Sequence, residues 1–221
     1  MKTFYDLQEG LYDPNIFKAF FLAGGPGSGK SYVVRQTTGG TGLKIVNSDD
    51  DFERLLAKAN LSLKMPASEE EPRNKVRARA KDLTQMRKDN YLAGRLGLII
   101  DGTGRDFGKI QKQKAGLEQL GYDCYMIFVN TSLDTALQRN TMRARSVPTP
   151  IVTKSWKDVQ SNIGQFNNLF KGDMIIVDNN DADEDVFKSV WKRVRGLLGR
   201  KVKNKRAQDW ISMEMQKKRR K

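Results

Sequence analysis

Residues 24–31 read Gly-Gly-Pro-Gly-Ser-Gly-Lys-Ser, and they directly follow the short apolar run KAFFLA at 18–23. Glycines let backbone N–H groups turn towards a common centre, and a helix expected from about Gly29 adds the partial positive charge of its N-terminus. This spacing between an apolar strand and a helix is the Walker A pattern. The alternative is a glycine-rich turn without a ligand. The stretch predicts a nucleoside triphosphate site at the end of a first buried strand.

Each residue type in this loop has an expected task. Lys30 is expected to reach the β- and γ-phosphates, and the hydroxyl of Ser31 is expected to ligate Mg²⁺. ATP and Mg²⁺ are therefore the expected cofactors. The residues expected to bind the nucleotide are Gly24, Gly25, Pro26, Gly27, Ser28, Gly29, Lys30, Ser31 and Tyr32.

Outward from the loop, short apolar runs alternate with helical patterns. Further strands are expected at 43–46, 97–100, 122–129 and 173–177, and one of the intervening helices is expected to run unbroken over 153–170. Strands separated by helices imply parallel pairing with right-handed crossovers. The sequence therefore predicts a three-layer α/β P-loop NTPase fold with a mainly parallel five-stranded sheet.

Positive charge is concentrated near the C-terminus. The 221 residues carry 40 Lys and Arg against 26 Asp and Glu, a net charge of +14, and 13 of the basic residues lie within 192–221. We expect a P-loop domain over 1–198 and a basic C-terminal tail over 199–221, which is either disordered or a short helix around 210–215. The tail favours nucleic acid as a substrate or an anchor. The alternative is a solvated charged segment.

The composition excludes several classes of site. The chain has no histidine and a single cysteine, Cys124, which excludes His-based catalysis, intrachain disulfides and zinc sites made of His and Cys. One cysteine fits a reducing cytoplasm. The sequence has no run of 18 apolar residues and no apolar leader segment at its N-terminus. We expect a cytoplasmic protein with no membrane partner, and the oligomeric state does not follow from the sequence.

Acidic residues follow the second and third expected strands. Asn47-Ser-Asp-Asp-Asp-Phe52 supplies carboxylates that could accept the proton of an attacking hydroxyl, or that could instead cap a helix. Asp101 begins Asp-Gly-Thr-Gly-Arg at the end of the third strand, where open α/β sheets bind ligands. Asp101 could hold a magnesium-bound water or contact the substrate. The alternative is an ordinary turn.

Arginines cluster at the end of an expected helix. Arg139, Arg143 and Arg145 stand at i, i+4 and i+6, just before Val147-Pro-Thr-Pro150. Arginine suits bidentate phosphate contacts and the stabilisation of transition-state charge. The segment predicts a lid over the phosphates, with a solvated basic helix face as the alternative.

Together these motifs resemble one group of P-loop kinases. AGGPGSGKS, the Asp-Asp-Asp-Phe turn, DGTGR and QRNTMRARSVP look like the zeta toxins and the polynucleotide 5′-kinases. DGTGR, its following helix and the strand GYDCYMIFV are most similar to zeta toxins, and RNTMRARSVP is most similar to the lid of polynucleotide kinases. The likeness spans about 18–178. It implies transfer of the γ-phosphoryl group of ATP to a hydroxyl of a nucleic-acid end, a nucleotide or a nucleotide sugar.

The resemblance also implies roles for single residues. The general base falls on Asp50, although Asp49 and Asp51 stand beside it. The residues expected to act in catalysis are Lys30, Asp50, Arg139 and Arg143. Those expected to contact the acceptor are Asp101, Thr103, Arg105 and Arg145, and the expected metal ligands are Ser31 and Asp101.

The chain departs from both families. Zeta toxins typically carry Glu where this chain has Asp101, and no phosphatase domain follows, unlike in the bifunctional end-healing kinases. The resemblance therefore does not identify the acceptor substrate of this protein. Two other readings stay open: a non-kinase P-loop ATP-binding protein that acts on or beside nucleic acid, and a degenerate toxin homologue that binds a partner protein.

Overall fold

The computed structural model describes residues 11–64, 66–142 and 147–219, in which five strands alternate with nine α-helices. The strands are β1 (Lys18–Ala23), β2 (Lys44–Val46), β3 (Leu98–Asp101), β4 (Asp123–Asn130) and β5 (Met174–Asp178). The helices are α1 (Lys30–Thr38), α2 (Asp49–Lys58), α3 (Glu70–Ala93), α4 (Phe107–Gln119), α5 (Leu133–Thr141), α6 (Thr149–Ser161), α7 (Ile163–Phe170), α8 (Glu184–Leu198) and α9 (Lys205–Arg219), with 3₁₀ turns at Ala67–Glu69 and Lys171–Asp173.

The five strands form one sheet in the order β2-β3-β1-β4-β5, and every pair of neighbours is parallel. All six residues of β1 are buried at the centre of this sheet. The predicted P-loop fold with a parallel five-stranded sheet is confirmed. The carboxyl ends of all strands therefore meet at one edge, which we call the catalytic edge.

Side chains on the inner strands β1, β3 and β4 alternate between two hydrophobic cores, one on each face of the sheet. On one face, Phe21 and Phe128 pack among residues of α4 and α7. On the other face, Phe20 and Ile127 pack among residues of α1 and α8. Burial on both faces explains why the strands are continuous apolar runs without polar alternation. None of the helices in the described ranges combines the length and apolar character needed to cross a bilayer.

The segment 153–170 is helical, as predicted, but it is not one unbroken helix. The chain forms two helices, α6 and α7, which meet at Asn162. The side-chain nitrogen of Asn162 donates hydrogen bonds to the carbonyl oxygens of Gly104 at 3.0 Å and Arg105 at 2.9 Å. The helix direction changes where this buried asparagine reaches the loop after β3, a long-range contact that helical periodicity does not reveal.

The C-terminal helix is longer than the expected 210–215 and packs against the core. Ala207 is fully buried, and the ring of Trp210 lies 5.6 Å from the ring of Phe17, edge to face. A Cβ at Gly121 would lie 3.3 Å from the Cβ of Ala207, so α9 is in close contact with the segment before β4. Helix α9 therefore covers the edge of the sheet opposite the catalytic edge.

A buried ion pair fixes the chain just before α9. The ammonium of Lys18 lies 3.1 Å from the carboxylate of Asp123, and both side chains are almost fully buried. The same carboxylate accepts hydrogen bonds from the backbone N–H groups of Lys203 at 2.9 Å and Asn204 at 3.1 Å. Burial lowers the pKa of Lys18, and the charge of Asp123 opposes that shift. One carboxylate thus joins the first strand, the fourth strand and the C-terminal segment.

Candidate active site

The phosphate loop has a backbone shape that only glycine adopts readily. Gly24, Gly27 and Gly29 have φ of 154°, 79° and 80°. A Cβ at Gly27 would lie 2.1 Å from the carbonyl oxygen of Ala136, and one at Gly24 would lie 2.7 Å from that of Val129. The loop is therefore held tightly against the start of α5 and the end of β4.

The interior of the loop fits a phosphate group. The hydroxyl of Ser28 is buried and has no hydrogen-bond partner among the described residues, which is costly unless an acceptor such as a phosphate oxygen is bound there. The ammonium of Lys30 donates to the carbonyl oxygens of Gly24 at 2.6 Å and Gly25 at 3.3 Å, so it sits across the mouth of the loop. Helix α1 begins at Lys30 with no acidic residue in its first turn, which leaves the positive end of its dipole available to an anion. Ser31 and Tyr32 are exposed beside it.

Two asparagines after β5, which the sequence analysis did not single out, support this loop. The amide nitrogen of Asn179 donates a hydrogen bond of 2.7 Å to the carbonyl oxygen of Ser28. The guanidinium of Arg139 donates to the carbonyl oxygens of Asn179 at 2.6 Å and Asn180 at 2.8 Å. A Cβ at Gly29 would lie 3.7 Å from that guanidinium, so Arg139 borders the loop. The available signal was two consecutive amides at the carboxyl end of a strand.

The three aspartates at the start of α2 have different surroundings. Asp51 is buried; it pairs with Arg54 of the same helix at 3.0 Å and with Arg87, and the contact with Arg87 joins α2 to α3. Asp49 accepts a hydrogen bond from Arg77 at 3.2 Å. Asp50 is exposed, and its carboxylate makes no hydrogen bond or ion pair within the described ranges.

Asp101 lies at the centre of a charged group on the catalytic edge. Its carboxylate accepts a hydrogen bond of 2.8 Å from Asn47. Burial raises the pKa of Asp101; the nearby ammonium of Lys30 counteracts this, and the charges of Asp49 and Asp50 add to it. Lys30 and Asp50 therefore each lie close enough to Asp101 for their charges to affect it.

The loop after β3 is joined to the phosphate loop and borders a cavity. The backbone N–H of Gly24 donates to the carbonyl oxygen of Thr103 at 3.0 Å. Gly104 has φ of 80°, and a Cβ there would lie 2.9 Å from the Cβ of Ala23. The adjoining cavity holds about 350 Å³. Its polar lining comes from Asp101, Thr103, Arg105, Asp106, Lys109, Gln113 and Asp158.

Most of the predicted site residues meet at the catalytic edge. The phosphate loop, Asp50, Asp101, Thr103, Arg105 and Arg139 are brought together there. Arg143 and Arg145 lie outside the described residues. No group of three acidic or cysteine side chains within the described part of the chain is arranged to hold a metal ion without further ligands.

Comparison with known proteins identifies the family. The AAA domain family matches residues 20–165, which include the phosphate loop, Asp50, the loop after β3 and Arg139. The chain belongs to the AAA domain family. No curated protein matches the sequence.

Solved structures of this AAA domain's fold include kinases. A putative kinase from Chloroflexus aurantiacus is 17% identical with a TM-score of 0.56, covering 82% of this chain and 98% of its own. A gluconokinase from Sinorhizobium meliloti is 12% identical with a TM-score of 0.51, covering 83% and 95%. The Pnkp1/Rnl/Hen1 RNA repair complex contains a chain that is 18% identical with a TM-score of 0.53, covering 69% and 47%. At these identities the likeness shows a P-loop kinase-like fold.

Proposed function

We propose that this AAA domain protein is a kinase that transfers the γ-phosphoryl group of ATP to a hydroxyl group. The observation that carries the proposal is the position of Asp101, which lines the cavity after β3 and lies within reach of the charges of Lys30 and Asp50. A nucleotide site alone would also suit a motor or a switch. A cavity lined by Asp101, with the exposed carboxylate of Asp50 near enough to affect that residue, suits phosphoryl transfer to a bound acceptor.

The phosphate loop would hold the triphosphate. Backbone N–H groups of residues 24–32, the hydroxyl of Ser28 and the N-terminus of α1 offer donors and positive potential. Lys30 would exchange its carbonyl partners for the β- and γ-phosphates. Mg²⁺, which prefers oxygen ligands and retains several waters, would be held by Ser31 and, through water, by Asp101. Bound there, it would neutralise charge on the phosphates.

Asp50 is the proposed general base. Asp49 and Asp51 are engaged by Arg77 and by Arg54 and Arg87, whereas the carboxylate of Asp50 has no partner in the described ranges. Asp50 would take the proton of the acceptor hydroxyl while the oxygen of that hydroxyl bonds to the γ-phosphorus. The bond between the γ-phosphorus and the β,γ-bridging oxygen would break, and ADP would leave.

The arginines would balance the charge that builds up during transfer. Arg139 borders the phosphate loop and is anchored to Asn179 and Asn180. We propose that Arg139 and Arg143 contact the phosphates, and that Arg145, Thr103 and Arg105 contact the acceptor. Arginine suits both tasks because its guanidinium presents several donors in a fixed plane.

The acceptor class follows from the resemblance to zeta toxins and polynucleotide kinases, and we propose a nucleic-acid end, a nucleotide or a nucleotide sugar. A gluconokinase and an RNA repair complex among the similar folds justify testing both small and polymeric acceptors. We further propose that residues 1–198 carry out catalysis in the cytoplasm, and that the basic residues 199–221 serve a separate contact with nucleic acid.

The test is transfer of radiolabelled γ-phosphate to a panel of 5′-hydroxyl oligonucleotides, nucleosides, nucleotides and nucleotide sugars. Wild-type protein should label one class, and Lys30→Ala and Asp50→Asn should abolish labelling while the fold is retained. Labelling that survives both substitutions would refute the proposed site. ATP hydrolysis stimulated by DNA, with no phosphorylated product, would instead identify a non-kinase ATPase.

A further inference from the structure

The basic C-terminal segment and the phosphate loop lie at opposite edges of the sheet. The loop leaves the carboxyl end of β1, whereas Asp123, which accepts the backbone hydrogen bonds of residues 203 and 204, stands at the amino end of β4 opposite Lys18 of β1. A six-residue strand such as β1 spans roughly 17 Å. A ligand bound at the C-terminal segment is therefore on the far side of the domain from the cavity after β3.

This segment is held in place by many contacts. The side chain of Asn204 donates to the carbonyl oxygen of Glu118 at 2.7 Å, and Arg206 donates to that of Gln119 at 2.8 Å. The guanidinium of Arg95 lies over the ring of Trp210, 4.9 Å from its centre. The charges of α9 therefore have fixed positions on the domain surface.

Several of these positive charges are not neutralised. Lys205 and Lys217 are paired with Asp209 and Glu214, both at 2.7 Å, and so contribute little net charge. Among the described residues, Lys201 and Arg219 make no hydrogen bond or ion pair and are exposed. The surplus of cations over carboxylates is carried by Arg200, Lys201, Lys203, Arg206, Lys218 and Arg219, which we call the C-terminal basic surface.

Within residues 11–64, 66–142 and 147–219, the acidic side chain that pairs with this surface is Asp173. Arg200 and Lys203 share Asp173, at 3.4 Å and 3.3 Å respectively. Lys218 lies 4.5 Å from the centre of the ring of Tyr12, a contact that leaves its charge uncompensated. Among the described residues the cations of this surface outnumber their acidic partners, and such an excess of positive charge suits the binding of an external anion.

The arrangement suits an extended polyanion. Helix α9 has 15 residues and is therefore about 22 Å long, a length over which one nucleic-acid strand presents roughly six phosphates. The apolar side chains of Ala207, Trp210 and Ile211 pack on the domain core, so they are not available to enter a bilayer. We propose that the C-terminal basic surface binds the phosphate backbone of nucleic acid, and that this anchor is separate from the phosphoryl-transfer site.

The test uses the full chain with three neutralised charges: Lys201→Gln, Lys218→Gln and Arg219→Gln combined. Deletion of 199–221 is unsuitable because it would expose Phe17 and remove two partners of Asp123. The matched control neutralises three exposed lysines outside the C-terminal basic surface: Lys58→Gln, Lys64→Gln and Lys112→Gln. Thermal unfolding of each variant checks that the fold is retained.

The probe is a fluorescent 12-nucleotide single strand with a 5′-phosphate and a blocked 3′ end, which offers no terminal hydroxyl acceptor. Fluorescence anisotropy should show salt-dependent binding by wild type. The triple variant should bind about tenfold or more weakly at 0.1 M salt, with the slope of log K against log salt reduced by about two units. The control variant and Lys30→Ala should bind like wild type.

Three outcomes would overturn the anchor: no binding by wild type, an equal loss in the control variant, or loss of binding in Lys30→Ala. Binding to anionic phosphatidylserine vesicles in place of the oligonucleotide would assign the surface to a membrane and also overturn it. The anchor and the kinase activity are tested separately, because the probe reports binding and the γ-phosphate assay reports transfer.

Discussion

The side-chain amide of Asn179 donates a hydrogen bond of 2.7 Å to the carbonyl oxygen of Ser28. This bond joins the segment after the edge strand β5 to the phosphate loop at the centre of the sheet. The same segment receives the guanidinium of Arg139 through its backbone. The loop therefore depends on the side chain of Asn179, and the arginine on the backbone of the same segment.

We expect Asn179→Ala to weaken nucleotide binding and to destabilise the fold. The carbonyl of Ser28 would lose a buried partner, which costs about 1–3 kcal/mol. The Kd for ATP should rise at least several-fold, as measured by calorimetry, and urea unfolding should show the lost stability. The exposed Asn168→Ala serves as the control and should change neither quantity. An unaltered Kd in Asn179→Ala would mean that the loop holds its shape without this bond.

Asp50 and its neighbour Asp51 should separate chemistry from stability. Asp50→Asn should abolish phosphoryl transfer at unchanged stability, since its exposed carboxylate has no partner in the described ranges. Asp51→Asn should lower the free energy of unfolding by about 1–3 kcal/mol because Arg54 and Arg87 lose a buried charged partner. Urea titration and the γ-phosphate assay on both variants give the comparison. If Asp50→Asn retained transfer and only Asp51→Asn lost it, the assignment of the base would be wrong.

The charge of Asp101 should lower the free energy of unfolding by an amount that depends on pH. Burial raises its pKa above the ordinary value of 3.8, so the folded protein holds this proton more tightly than the unfolded chain does. The charged form therefore costs stability above the folded-state pKa, and the cost disappears as the pH falls towards 3.8.

We expect Asp101→Asn to raise the Tm at pH 7 by about 2–4 °C, with a gain that vanishes on acidification through the folded-state pKa. Transfer activity should fall in the same variant. Calorimetry between pH 3.5 and 7.5 measures the first effect. A gain that is independent of pH would show that the charge of Asp101 is not its origin.

Asn162→Ala should affect the acceptor more than the nucleotide. The substitution removes both hydrogen bonds to the loop that contains Gly104 and Arg105, on one side of the cavity. We expect the KM for the acceptor to rise several-fold while the KM for ATP changes by less than about twofold, because only the acceptor loop loses its support. Steady-state kinetics with each substrate varied in turn would check this, with Asn168→Ala as the matched control. Equal rises in both KM values would indicate a general loss of structure.

Local signals predicted most of the fold. Residues 18–31 contain the apolar run of β1, the glycines after it and the start of α1. This local order of strand, glycine-rich loop and helix is enough to predict a phosphate-binding loop. The strand–helix alternation likewise gave the parallel sheet. These features depend on residues close together in the sequence, where periodicity and glycine spacing are informative.

Contacts between distant residues could not be predicted in this way. Asp51 looked equivalent to Asp50 until α3 placed Arg87 beside it, 36 residues further along. Asn162 interrupted an expected helix because its partners lie 57 and 58 residues earlier. The docking of α9 depends on Phe17 and Gly121, which no pattern in the basic tail indicates. In each case a buried side chain contacts a partner that is distant in the sequence and becomes a neighbour only in the folded protein.

The contact between Asp123 and residues 203 and 204 sets an order of events during synthesis. A chain still being translated can pair β1 with β4 and bury Lys18 against Asp123. The backbone donors of 203 and 204, and the ring of Trp210 that covers Phe17, become available only after the segment that contains α9 has been synthesised. The strand that carries the phosphate loop is therefore synthesised early, but its contacts with the C-terminal segment form late. A nascent chain stalled before residue 200 would carry the nucleotide site on a core that lacks those contacts.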